Sequence, residues 1–156
     1  MSVDPDSLPD PHDLSEEQVL ARTLWGEARG EKHEGRVAVA CVILNRAARA
    51  QAHRRRKGTR FWWGETPKEV CLQPLQFSCW NGSDQNLPKM LAVTEADKAF
   101  ADCLAIARDA LAGRLVDNTG GATHYINPKL VDPSWAKSMI ETARIGRHAF
   151  YRETRG

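Results

Sequence analysis

The chain lacks any apolar run approaching the ~20 residues that a membrane-spanning helix requires, so its 156 residues contain no such segment. Its first eighteen residues lack the basic start and apolar centre of a secretory leader. They carry Asp4, Asp6, Asp10, Asp13, Glu16 and Glu17 and not one Lys or Arg. The expectation is a protein made in the cytoplasm that reaches any outside target after release or with help in export. The patterns H-E-x-x-H and C-x-x-C are absent. Spacing does not exclude a pair such as His124 and His148, but no zinc-ligand set is evident, so neither a metal nor a cofactor is expected. Cys41, Cys71, Cys79 and Cys103 are expected as free thiols, the usual state in the cytoplasm. Cys71 and Cys79 lie nearest to loops and are the pair that an oxidising compartment would join. A strong charge of one sign is also missing. The net charge of +2 is too small to argue for nucleic acid, and no nucleic-acid-reading module accompanies the basic run HRRRKGTR at 53–60. Internal repeats are absent as well.

What is present fits one domain, expected as a monomer. A chain of this length buries roughly 70% of the surface its unfolded form exposes. Residues 1–13, rich in Pro and Asp, read as a flexible acidic arm, and residues 14–156 as the folded domain. Ser15 and Gln18 make an S-x-x-Q start signal, with Leu14 and Val19 as a hydrophobic staple. This predicts a helix from Ser15 to Trp25 or Ala28. A second helix is expected from Gly35 to Ala50. Its centre, VAVACVIL, is apolar on every side, so the rest of the domain encloses it. Residues 53–93 show no helical period and read as a long irregular stretch. Loops of that length are usually functional. A third helix is signalled by Thr94 as N-cap, an inner face of Ala96, Ala99, Phe100, Cys103, Ala107 and Leu111, and Gly113 as its stop. Beyond it come extended pieces at 122–127 and 148–152 and a short helical piece near Trp135.

The segment WGEARGEKHEG, residues 25–35, holds the chemistry. Glu27, Glu31 and Glu34 fall within eight residues. Glu27 follows Trp25 and Gly26 at the end of a buried helix, where apolar walls disfavour its charged form and raise its pKa. A glycosidase needs such a group: a carboxylic acid still protonated near neutral pH and aimed at a glycosidic oxygen. Spacing alone leaves open that these are ordinary exposed glutamates near a helix end.

Five short motifs, in order, resemble the SleB/CwlJ-like cell-wall hydrolases of the spore-cortex-lytic type. They are GEARGE at 26–31, EGRVAVACVILNR at 34–46, QFS at 76–78, GATHYINP at 121–128 with Trp135 downstream, and IGRHAFY at 145–151. The resemblance implies a mainly α (α+β) single domain of lysozyme-like, lytic-transglycosylase-like fold, with a short β element beside the cleft. It implies cleavage of peptidoglycan glycan strands between N-acetylmuramic acid and N-acetylglucosamine, commonly by lytic transglycosylation. The matching catalytic residue is Glu27. Gln76, Phe77, Ser78, His124, Tyr125, Asn127 and Tyr151 match near the cleft as substrate-binding residues, with His148 beside them. Trp80 is expected in the cleft because it follows Gln76-Phe77-Ser78, and Glu31 is the nearest candidate for an auxiliary carboxylate. The insertion-like stretch between Arg46 and Gln76 departs from the family's pattern. The missing leader fits a phage-type or gene-transfer-particle endolysin better than an exported spore enzyme. Two alternatives stand beside this reading: a metal-dependent N-acetylmuramoyl-L-alanine amidase, and a non-catalytic cell-wall-binding module.

Overall fold

The computed structural model describes residues 8–74 and 76–154. Most of the expected arm, residues 1–7, lies outside the described residues. The remainder of the arm does not hang free: Pro11–Asp13 forms a 3-10 turn capped by Asp10, and Lys68 donates to the carbonyls of His12 and Leu14.

Helix α1 runs Glu16–Ala28. Ser15 caps it by accepting from the Gln18 amide at 3.1 Å. The Gln18 side chain does not reach back to complete a reciprocal box; it accepts from Arg22 instead. Val19, Leu20 and Leu24 are fully buried, each contributing about 1.5–3 kcal/mol relative to exposure. Gly26 lies inside the helix because a side chain there has no room. A Cβ at this position would fall 2.7 Å from Met90 Sδ and 3.2 Å from Cys79 Cβ. This contact brings the segment carrying Cys79 against the turn of α1 that bears Glu27.

Helix α2, His33–Lys57, is the apolar central helix. It continues seven residues past the expected end at Ala50. AARAQAHRRRK is built almost wholly of good helix formers, and its terminal cations complement the negative end of the helix dipole. Gly58 stops it. The basic run is therefore largely a helix end and not a loop.

Two short helices and a 3-10 turn also replace the expected irregular stretch. Helix α3 is Pro67–Leu72, capped by Thr66. The 3-10 turn is Ser78–Trp80, and helix α4 is Leu87–Ala92. Each helix has six residues and a proline in its first turn, too short to register as a 3.6-residue period. Helix α5, Lys98–Leu111, is capped by Asp97, which accepts from the Phe100 amide at 3.0 Å, and not by Thr94. Asp97 is the better cap because Thr94 would need the helix to run through the turn at 95–97.

Strands β1 (His124–Ile126), β2 (Ile140–Ile145) and β3 (His148–Arg152) form an antiparallel sheet ordered β1-β3-β2. Strand β2 is absent from the sequence expectation, since its residues are half-exposed and give no clean alternation. Phe150 of β3 packs with Ala38 and Val42 of α2, so the sheet leans on the central helix. The short helical piece near Trp135 is a 3-10 turn, Ser134–Ser138. All four cysteines are free and buried, and no helix among the described residues is long and apolar enough to cross a membrane. The architecture is mainly helical with a small sheet, as expected.

Candidate active site

Two arginines, Arg36 and Arg29, fix the end of α1, because the last carbonyls of a helix have no partner within it. Arg36 of α2 donates to the carbonyls of Ala28 at 3.3 Å and Arg29 at 2.9 Å, and it also pairs with Asp102 of α5. Arg29 bonds Asn86 at 2.8 Å and lies over the Trp25 ring. Arg22 closes the end of α4 through the carbonyls of Met90 and Val93. Glu27 therefore projects from a braced helix end.

Its carboxyl opens onto a cavity of about 410 Å³ lined by Arg46, Gln76, Phe77, Ser78, Asn81 and Tyr125. Burial pushes the Glu27 pKa above the usual carboxylate range, and the nearby charge of Asp84 adds to this. The Cys79 thiol donates to Oε1 at 3.5 Å. This bond, the Tyr125 hydroxyl and the Arg46 charge act in the opposite direction and do not cancel the rise. Tyr125 is itself held well above its ordinary pKa, first by burial and then by Glu27, so its hydroxyl stays protonated. The result is a desolvated carboxyl, its pKa raised, with donors on one side and open space on the other.

Arg46 organises the far wall. Its Nε donates to the Thr123 carbonyl at 2.6 Å and its Nη1 to Gln76 Oε1 at 2.7 Å. The guanidinium centre lies 5.5 Å from the Trp63 ring centre and 5.4 Å from that of Phe77. Gln76 passes the constraint on, donating to the Trp63 carbonyl at 2.9 Å. Arg46, Cys79 and Asn81 were not picked out as site residues from the sequence. A signal for Arg46 exists: it follows Val42 and Ile43 by four and three residues, on the buried face of α2, where a cation needs a reason to be.

The structure divides the expected substrate residues into two groups. Gln76, Phe77, Ser78 and Tyr125 meet at the Glu27 cavity. Trp80 does not: its indole donates to Thr23 at 2.8 Å and its ring packs on the core. With three residues per turn, the 3-10 turn that presents Ser78 to the cavity carries Trp80 round toward α1. Strand alternation separates the rest. Tyr125 pairs with Phe150 on the face toward α2, whereas His124 pairs with Tyr151 on the other face. There His124 and Tyr151 contact Trp135, at 5.1 and 5.6 Å between ring centres. Burial lowers the His124 pKa to about 4. Asn127 ends β1, accepting from the Lys129 amide at 3.0 Å, and lines a neighbouring basin.

Glu31 is turned away from the cavity. It is buried, accepts from the Arg147 amide at 3.0 Å, and faces His148 Nδ1 at 3.3 Å. The β2–β3 turn needs Gly146 here, because a Cβ would fall 2.7 Å from Glu31 Oε1. Glu31 thus ties the α1–α2 turn to the hairpin. Cavity size alone does not single out Glu27. A basin of about 450 Å³ contains Glu16 and Glu69, but Glu69 is paired with Arg60 and Glu16 accepts from the Lys68 amide. Among the described residues, no group of three or more His, Cys, Asp or Glu side chains is arranged to hold a metal.

The chain is similar to solved structures and to curated proteins. The catalytic domain of the germination-specific lytic transglycosylase SleB from Bacillus anthracis superposes with a TM-score of 0.64 at 26% identity, covering 96% of this chain and 100% of that one. The catalytic domain of the Bacillus cereus SleB protein gives 0.62 at 26% identity, covering 95% and 94%. The fold is therefore the lysozyme-like one that the motifs imply. Among curated proteins, the spore cortex-lytic enzyme of Halalkalibacterium halodurans is 33% identical over 85% of this chain and 33% of its own length. That of Oceanobacillus iheyensis is 30% identical over 92% of this chain and 44% of its own length. The chain thus spans less than half the length of these two relatives. Residues 30–151 match the Cell Wall Hydrolase family, a stretch that begins three residues after Glu27. From this match, the shared fold and the ordered motifs, the chain belongs to the cell wall hydrolase family.

Proposed function

We propose that the chain cleaves peptidoglycan glycan strands between N-acetylmuramic acid and N-acetylglucosamine as a lytic transglycosylase, with Glu27 as its single catalytic carboxyl. The observation that carries this reading is that, among the described residues, Glu27 is the only carboxylate lining its cavity, and that burial raises its pKa above the usual carboxylate range. Direct hydrolysis would call for a second carboxyl across the scissile bond, as nucleophile or as base. Glu31 is engaged by the hairpin instead. In the proposed reaction Glu27 gives its proton to the glycosidic oxygen as the bond to the muramoyl C1 breaks. The 6-hydroxyl of the same sugar then attacks C1, and the Glu27 carboxylate takes the hydroxyl proton. The product is an anhydro sugar, and no water is consumed. Ser78 and Asn81, both exposed at the cavity, are placed to meet sugar hydroxyl and N-acetyl groups.

Mass spectrometry of fragments released from purified walls is the direct test. Anhydro ends, lighter by one water than hydrolysed ends, are expected. Free reducing muramic ends would show a hydrolase, and a freed L-alanine amine would show an amidase. Release should persist after dialysis against a chelator; loss that zinc restores would instead establish the amidase.

The basic end of α2 supports wall attachment. Arg54 pairs with Glu65 and Arg60 with Glu69, leaving Arg55, Arg56 and Lys57 exposed without an ion pair among the described residues. Attraction to wall phosphates or carboxylates is screened over about 8 Å at physiological salt. It therefore acts on binding and leaves the chemical step alone. Replacing Arg55 and Arg56 with Ser should weaken binding to intact walls and flatten its salt dependence, while turnover of a short soluble glycan stays the same. An unchanged salt slope would reduce this patch to a solvated helix end.

A further inference from the structure

A second basin lies beside the catalytic cavity and has no part in the proposed chemistry. It measures about 450 Å³, and its lining includes Asn127, Lys129, Arg144, Gly146, Arg147 and His148. Tyr125, which lines the Glu27 cavity, packs edge-on against His148, with ring centres 5.0 Å apart. The basin therefore begins one aromatic ring away from the catalytic pocket.

Its charge is cationic. Arg144 is held by Glu141 at 2.9 Å. Arg147 reaches the buried Glu31 only at 4.0 Å, and its side chain is 72% exposed. Lys129 is exposed and has no ion pair among the described residues. The neighbouring loop also presents Leu130 and Val131, exposed by 78% and 50%. Exposed cations beside exposed aliphatic side chains suit a ligand that carries carboxylates and methyl groups together.

We propose that this basin receives the stem peptide of the substrate, with Lys129 and Arg147 meeting its carboxylates and Leu130 and Val131 its alanine methyls. The inference rests on the glycan-cleaving reading of the Glu27 cavity. In peptidoglycan the peptide leaves from the lactyl group of the muramic acid, the same sugar whose C1 would react at Glu27. A peptide-binding surface therefore has to adjoin the catalytic pocket, and this basin does. The Arg147 amide makes the hydrogen bond to Glu31 at 3.0 Å, whereas its side chain reaches that carboxylate only at 4.0 Å. Changing the Arg147 side chain thus leaves the hairpin anchored.

The test uses two soluble glycan fragments of equal length, free of phosphate polymers, one bearing stem peptides and one stripped of them. Binding and cleavage are measured in parallel for the wild type and for the double variant Lys129→Gln/Arg147→Gln. An exposed charge pair is worth up to about fivefold in affinity. The double variant should therefore bind the stem-bearing fragment roughly 5–20-fold more weakly, with matching loss in kcat/KM. Binding of the stripped fragment should not change. The loss should shrink at high salt and grow in Lys129→Glu/Arg147→Glu. Equal effects on both fragments, or none on either, would overturn the proposal. Stem-dependent binding without cleavage would leave the basin assigned and remove the catalytic reading of Glu27.

Discussion

Glu27→Gln should fold as the wild type does and release glycan fragments at least about 100-fold more slowly, the lower range for loss of a positioned general acid. The amide keeps the shape of the carboxyl, and its oxygen still accepts from Cys79, so the braced end of α1 has no cause to move. Only the transferable proton is lost. Stability gives an independent check. Burial raises the folded-state pKa of Glu27 above its unfolded value. The carboxyl then costs stability as pH rises through the folded pKa, and costs nothing below the unfolded value of about 4.3. The variant should therefore melt higher than the wild type above that window. The difference should vanish once pH falls below the usual carboxylate range. Wild-type activity should decline on the alkaline side as Glu27 loses its proton. Near-normal fragment release by Glu27→Gln would remove the assignment. A lower melting temperature at every pH would show that the side chain is structural.

The sequence makes the helical frame and the position of Glu27 legible because both rest on local signals. Ser15 announces α1, the apolar block VAVACVIL announces the central helix, and GEARGE sits between them. Signals fail where the determinant is tertiary. Helices α3 and α4 are held by Thr66, Arg22 and the core, not by a period of their own. Strand β2 pairs with β3 without burying one clean face.

The site shows the same limit. Position along the chain brings QFS and HY near the cleft, but not which way each side chain points. A three-residue turn sends Trp80 to the core while Ser78 reaches the cavity. A two-residue period sends His124 and Tyr151 to one face of the sheet and Tyr125 to the other. Glu31, four residues from Glu27, is its nearest carboxylate in sequence, but the turn of the β2–β3 hairpin engages it through the Arg147 amide.

Arg46→Met should have the second largest effect, and on both stability and catalysis. Methionine fills much of the same space between Trp63 and Phe77 but donates nothing. The Thr123 carbonyl and Gln76 Oε1 lose their donors. A buried polar group left without a partner costs about 1–3 kcal/mol, and the lost cation–ring contacts add roughly 0.5–1 kcal/mol. Removing a partly buried cation returns some of its desolvation cost. The net loss should be about 2–4 kcal/mol, and a domain of this size loses about 2–4 °C in Tm per kcal/mol, so Tm should fall by about 5–15 °C. Catalysis changes for a separate reason. Arg46 lowers the Glu27 pKa through its charge, so its removal raises that pKa further. The alkaline limb of the pH–rate profile should then move to higher pH, while activity at the optimum falls because Gln76 is no longer held at the cavity wall. Arg46→Lys keeps the charge but cannot serve both acceptors in the planar fork of a guanidinium. It should restore the pH limb without restoring Tm. An Arg46→Met protein with unchanged Tm would show that the two hydrogen bonds carry no net weight. An unmoved alkaline limb would show that the cation does not act on Glu27.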